Sequence, residues 1–174
     1  MNKFRLAVFS LLVAGLYACG GGSGQSESKT EEPKTSTDPV AEANTVADSI
    51  SLTIEGNDQM QYNKSELKVT EGQVVTLTLK HVGKMPKESM GHNWVLLTTG
   101  TDVAVFGTSA VSAPDNGYIP TDMEDKVIAN TKVIGGGEEV TITFDAPKAG
   151  YYKYICSFPG HWGVMQGSFV VAPK

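Results

Sequence analysis

Three short stretches of this chain alternate apolar with polar residues. They place Ile50, Leu52 and Ile54, then Val75, Leu77 and Leu79, then Val140, Ile142 and Phe144, at every second position. A period of two sends one side of a segment into a core and leaves the other in water, which a strand can do and a helix cannot. Residues 135–137 (Gly-Gly-Gly) and 146–150 (Ala-Pro-Lys-Ala-Gly) read as turns, and residues 151–156 and 168–171 as further strands. Between residues 101 and 130 the alternation fails, and this stretch containing Ala, Gly, Pro and Asp is expected to form a flap with a short helix. Many short strands joined by Gly and Pro turns predict an all-β sandwich or barrel.

The chemistry concentrates in residues 154–165, Tyr-Ile-Cys-Ser-Phe-Pro-Gly-His-Trp-Gly-Val-Met. Cys156, His161 and Met165 are spaced C-x4-H-x3-M, and Pro159, Gly160 and Gly163 prevent a helix or a continuous strand from joining them. The segment must be a loop. Taken singly, a buried cysteine, a surface histidine and a core methionine are ordinary. Together, a soft thiolate, a borderline imidazole and a weak thioether lack only a second imidazole to match a His2Cys copper site with a long axial Met. His92, in Met-Gly-His-Asn-Trp-Val-Leu ahead of an apolar buried strand, can supply it. Such a site suits Cu(I) and Cu(II) alike, so an electron can pass with little rearrangement. Cys156 and His161 could also be read as a thiol nucleophile and its base, but no oxyanion donor or substrate pocket is legible.

Residues 90–96 and 154–165 resemble the azurins, single-domain blue copper proteins of bacteria. The resemblance extends to residues 55–61, Met85-Pro-Lys87, residues 127–129, Thr131-Lys132 and residues 135–145, and covers roughly residues 49–172. It implies a cupredoxin-like Greek-key barrel or sandwich of about eight strands with a short helical flap between about 101 and 130. It also implies one type 1 copper ion held by His92, Cys156, His161 and Met165, with the Gly91 carbonyl as a weak axial contact. Asn93 and Ser157 match positions that brace the loop, the Phe158 amide matches a donor to the thiolate, and His81 matches a histidine that is not a ligand. Electrons would pass through an exposed edge of His161, ringed by a docking patch of Met60, Met85, Met90, Phe158, Pro159, Gly160 and Val164. Trp162 departs from the small residue usual in azurins, and either widens the patch or folds onto the flap. Asn130 replaces a surface histidine. The disulfide common in azurins is missing, because its positions fall on Ile50 and Gly72. The implied function is a one-electron carrier with no catalysis or small-molecule substrate of its own, serving redox partners such as cytochromes or copper proteins. The alternative is a copper-binding or delivery protein of the cell envelope.

At the start of the chain, Lys3 and Arg5 precede an apolar run from Leu6 to Leu16, which fits a signal peptide over residues 1–18 and is too short to span a bilayer. Leu16-Tyr17-Ala18-Cys19 resembles the box at which bacterial lipoproteins are acylated and cleaved, Tyr17 being larger than usual there; the other reading is an ordinary cut near Ala18 that leaves Cys19 a free thiol. Residues 19–46 are mostly Gly, Ser, Thr, Glu, Lys and Pro, too polar to offset their chain entropy by burial, and read as a disordered tether. Its reach is about 30 Å. Residues 47–174 form the domain. The formal charge is −5, and −7 once Lys3 and Arg5 are removed, which argues against a nucleic-acid partner. The expected location is the periplasmic side of a membrane, with lipid on Cys19.

Overall fold

Val75, Leu77 and Leu79, fully buried on one side of their strand, build the middle of the fold. The computed structural model describes residues 48–174. The expected signal peptide, Cys19 and the tether lie outside the described residues. Eight strands form two sheets, as the alternation and the resemblance imply. The first sheet has the order β1 (Ser49–Gly56), β3 (Val74–His81), β6 (Glu139–Asp145). The second runs β2 (Glu66–Thr70), β8 (Gln166–Ala172), β7 (Gly150–Ile155), β4 (Val95–Leu97), β5 (Val127–Asn130). The chain crosses between sheets early, so β1 lies parallel to β3 and β2 parallel to β8, while every other pair is antiparallel.

The inward faces enclose a core in which Trp94 is the largest fully buried side chain, with Tyr154 and Phe169 also buried and Phe144 packed against the cluster. The Trp94 ring centroid lies 5.7 Å from Tyr154, 5.8 Å from Phe144 and 6.1 Å from Phe169. Each large apolar side chain fully buried here contributes about 1.5–3 kcal/mol, against which the unpartnered Trp94 Nε1–H costs about 1–3 kcal/mol.

The flap is partly helical, as expected. Helix α2 (Val103–Ala110) follows the four-residue helix α1 (Lys87–Met90), and Asp102 caps it by accepting from the Ala104 and Val105 amides at 2.8 and 3.1 Å. Short 3-10 turns, Pro114–Asn116 and Thr121–Lys126, complete it. The expected flap range runs four residues too far: Val127–Asn130 leaves it to pair with β4 as edge strand β5. The fold also contains β2, whose two buried residues, Leu67 and Val69, make too short an alternation to stand out. Among the described residues no helix is long and apolar enough to cross a membrane.

Candidate metal centre

The ends of β1, β3 and β7 and the start of β8 converge with the loops before β4 and after β7. Cys156 leaves the end of β7, and its amide donates to the Met165 carbonyl at 2.9 Å, closing the loop at its two ends. Inside, His161 N–H donates to the Phe158 carbonyl, and the Val164 and Met165 amides donate to that of His161, at 3.0, 3.1 and 2.8 Å. These bonds make the loop the tight turn that Pro159, Gly160 and Gly163 predict. His92 comes from a separate segment, held by a bridge to Ile134 with amide-to-carbonyl distances of 3.0 and 2.8 Å.

One ligand atom each from His92, Cys156 and His161 lies within 4.8 Å of the other two, and all three residues are buried. Cys156 Sγ is 3.6 Å from His161 Nδ1 and 3.9 Å from His92 Nδ1. A trigonal ion with bonds of about 2.0 Å to nitrogen and about 2.3 Å to sulfur spans sulfur–nitrogen edges of about 3.7 Å, so the residues fit such an ion nearly as they stand. No carboxylate belongs to the cluster, and a thiolate with two imidazoles selects a soft or borderline metal over Mg²⁺ or Ca²⁺.

The surroundings set protonation. His92 Nε2–H donates to the Asn57 carbonyl at 2.9 Å, which leaves Nδ1 bare toward the sulfur. Burial lowers the pKa of His92, and burial first, then the neighbouring His92 and His81, takes that of His161 down to about 4. Both rings are therefore neutral at pH 7, the form that binds metal. Burial pushes the Cys156 thiol up to about 12 against the opposing backbone amides of Asn93 and Phe158. A metal must therefore displace its proton.

Met165 is fully buried beside the cluster. A Cβ on Gly56 would stand 2.8 Å from both the Met165 methyl and His92 Cδ2, so only glycine lets β1 approach this closely. The Gly91 carbonyl is near enough to the His92 ring to favour its protonated form, opposing burial. Asn93 and Ser157 are joined directly. Ser157 N–H donates to Asn93 Oδ1 at 2.8 Å, and Asn93 Nδ2 donates to Ser157 Oγ at 2.8 Å and to the Gly117 carbonyl at 3.0 Å.

The surface residues fall on loops and on α1 at this end, with unequal exposure. Val164 is 67% and Met85 39% exposed, and Gly160 is open. Met60, Met90 and Pro159 are half-buried. Phe158 and His161 retain only 7% and 3%, so the exposed edge expected of His161 is narrow. Trp162 lies against the flap: a Cβ on Gly107 of α2 would sit 2.3 Å from its Cγ. His81 donates through Nε2 to the Met90 carbonyl at 2.8 Å and accepts the Gly83 amide on Nδ1 at 3.1 Å, which leaves no nitrogen for a metal. Its ring nevertheless stacks on His92, centroids 4.3 Å apart and planes at 18°. That stacking, the Asn93 amide on the thiol and the Tyr62 hydroxyl on the Asn93 carbonyl have no local sequence signal.

The family described as "Copper binding proteins, plastocyanin/azurin family" matches residues 48–172. The chain belongs to the plastocyanin/azurin family. It is 49% identical over 122 residues to the azurin of Achromobacter denitrificans, covering 67% of this chain and 80% of that one. To outer membrane protein H.8 of Neisseria meningitidis it is 43% identical over 124 residues, 70% of this chain and 67% of that one. Among solved structures, auracyanin A, a "blue" copper protein from Chloroflexus aurantiacus, superposes with a TM-score of 0.65 at 35% identity, covering 71% of this chain and 99% of that one. With the buried thiol and imidazole pair, these findings make this member of the family a blue copper electron-transfer protein whose cofactor is copper.

Proposed function

We propose that this azurin-family domain is a one-electron carrier of the bacterial cell envelope, held to a membrane by lipid on Cys19 and engaging redox proteins, without catalysis of its own. In this reading His92, Cys156 and His161 would hold the copper, the Met165 thioether and the Gly91 carbonyl would be weaker donors to it, and electrons would cross near His161. The observation that carries it is the approach of three ligand atoms to within 4.8 Å inside a buried frame. Bound copper supplies a one-electron couple between Cu(I) and Cu(II). The chain supplies the rest. Asn57 and His81 hold the His92 ring, Asn93 and Phe158 direct amides at the sulfur, and the Asn93–Ser157 pair ties both ligand segments together. Ligands held by hydrogen-bonded neighbours are fixed in orientation, so the geometry is that of the fold rather than of either oxidation state. Met85, Gly160 and Val164 are exposed and uncharged, and offer a partner apolar or neutral contacts for brief docking.

The envelope location is supported by relatives named azurin and outer membrane protein H.8, together with the signal-like leader and the Cys19 box. Visible absorption of the copper-loaded protein tests the centre. An intense band should appear, vanish in Cys156→Ser, and persist in Met165→Leu with a raised potential. A colourless Cu(II) protein, or copper lost to chelators within seconds, would favour storage or delivery over electron transfer. Cys19→Ser tests the anchor: it should release the protein from the membrane with the band intact, and equal retention of both forms would refute the lipid tether.

A further inference from the structure

A cleft of about 370 Å³ opens beside the ligand loop, walled by Lys87, Lys132, Val133, Pro114, Tyr118 and Phe158. Glu88 is its one carboxylate. Lys68, Lys80, Lys126 and Lys148 each pair with a neighbouring carboxylate, while Lys87 and Lys132, like Lys64, Lys84, Lys153 and Lys174, form no ion pair with any described residue. On a chain of net charge −5, the cleft is therefore locally cationic.

Its wall is joined to the metal centre through aromatic rings. Tyr118 has a φ of 62°, left-handed backbone that a bulky residue adopts only when its surroundings enforce it. Its amide donates to the Ala113 carbonyl at 2.8 Å, and the preceding Gly117 carbonyl accepts Asn93 Nδ2 at 3.0 Å. The Tyr118 ring packs edge-on against Phe158, centroids 5.1 Å apart, and Phe158 lies 4.8 Å from the His161 ring. Ring contacts thus run without a gap from the cleft to a ligand of the copper. They reach it on a side flanked by Lys87 and Lys132, whereas Val164 presents an apolar side chain.

We propose that this cleft is a second docking site, for a redox protein that presents carboxylates beside its own centre, and that electrons exchanged there pass through Tyr118 and Phe158 to His161. The inference rests on the electron-carrier reading. One electron leaves the reduced copper protein and reduces the docked partner by one, or the reverse. No bond or proton changes place, and neither ring is itself oxidised.

Two hexacyanometallates serve as anionic probes. Hexacyanocobaltate(III), which is redox-inert, is titrated into the metal-free protein while amide NMR shifts are followed; this arm needs no copper and so separates failure of the cleft from failure of the electron-carrier reading. Shifts should concentrate at Lys87, Tyr118, Lys132 and Val133 and disappear in Lys87→Glu/Lys132→Glu. Shifts centred on Gly160 and Val164, or spread evenly, overturn the docking site. Hexacyanoferrate(III) then oxidises the reduced, copper-loaded protein. The double variant should slow this about tenfold or more, while the same charge change in Lys148→Glu/Lys153→Glu slows it by less than about twofold. Equal slowing in both pairs overturns the site. Tyr118→Phe should keep the rate and Tyr118→Leu lose it with the visible band intact; a wild-type rate in Tyr118→Leu overturns the ring route.

Discussion

Replacing Asn93 with Ala should be among the most damaging changes that leave every proposed copper ligand in place. The side chain is fully buried and makes three hydrogen bonds: it accepts from Ser157 N–H at 2.8 Å and donates to Ser157 Oγ at 2.8 Å and to the Gly117 carbonyl at 3.0 Å. At about 1 kcal/mol net for each bond, their loss costs about 3 kcal/mol. The Ser157 amide, buried and left without its acceptor, adds about 1–2 kcal/mol. The expected loss of about 4–5 kcal/mol is a large part of the ~5–15 kcal/mol that holds a typical domain folded. Urea denaturation of the metal-free protein measures it directly, as a lower midpoint with an unchanged slope. Ser157→Ala removes only the hydroxyl bond and should cost about 1 kcal/mol, and the double variant should cost less than the sum of the singles by about that amount. Copper held more tightly by the folded site than by the unfolded chain should restore part of the stability on loading, by an amount that rises with the logarithm of its concentration. The visible band should survive with altered intensity, because the Asn93 and Phe158 amides that face the sulfur belong to the backbone. A loss under about 1 kcal/mol would show that Asn93 is replaceable by water and that the two ligand segments are held together by other contacts.

Three further outcomes are expected. Val164→Lys sets a charge on a side chain already 67% exposed, so stability and spectrum should hold while electron self-exchange falls by about tenfold or more, a docked and unpaired charge being costly; unchanged self-exchange would place docking elsewhere. The metal-free protein should weaken in acid: His161 takes up its proton near pH 6.5 when unfolded but only near pH 4 when folded, so its contribution is whole above pH 6.5 and is lost as pH falls toward 4, about 3 kcal/mol in all. Urea midpoints at pH 7, 5.5 and 4 measure this, and His161→Gln should flatten the trend; identical trends in both proteins would refute it. Gly107→Ala must push the Trp162 indole off α2, because its Cβ would stand 2.3 Å from Cγ; it should destabilise by about 1–3 kcal/mol and red-shift tryptophan emission, while fully buried Trp94 stays constant, and unchanged emission would count against that packing.

Much of this protein was legible in its residues. Alternation at Ile50–Leu52–Ile54, Val75–Leu77–Leu79 and Val140–Ile142–Phe144 is local, and it marks β1, β3 and β6 because period two is itself the signature of a half-buried strand. The C-x4-H-x3-M loop was equally legible, since Pro159 and the glycines act on their own backbone and the three side chains lie within ten positions of one another. Strand β5 was hidden because Val127, Ile128 and Ala129 are all half-buried and carry no alternation; only the pairing with β4 makes them a strand. The rest was decided by packing between distant segments. His92 reaches Cys156 across 64 positions only because the strands deliver both to one end of the fold. There β1 passes close enough to His92 and Met165 to require glycine at 56, His81 stacks on His92 with both ring nitrogens already hydrogen-bonded, and half-buried Trp162 packs on Gly107 of the flap. Residue types and their local spacing can declare which atoms are able to hold copper. Bringing those atoms to within 4.8 Å, stripping them of water and thereby moving their pKa values are properties of the assembled core, since burial is shared by every segment that contributes a wall.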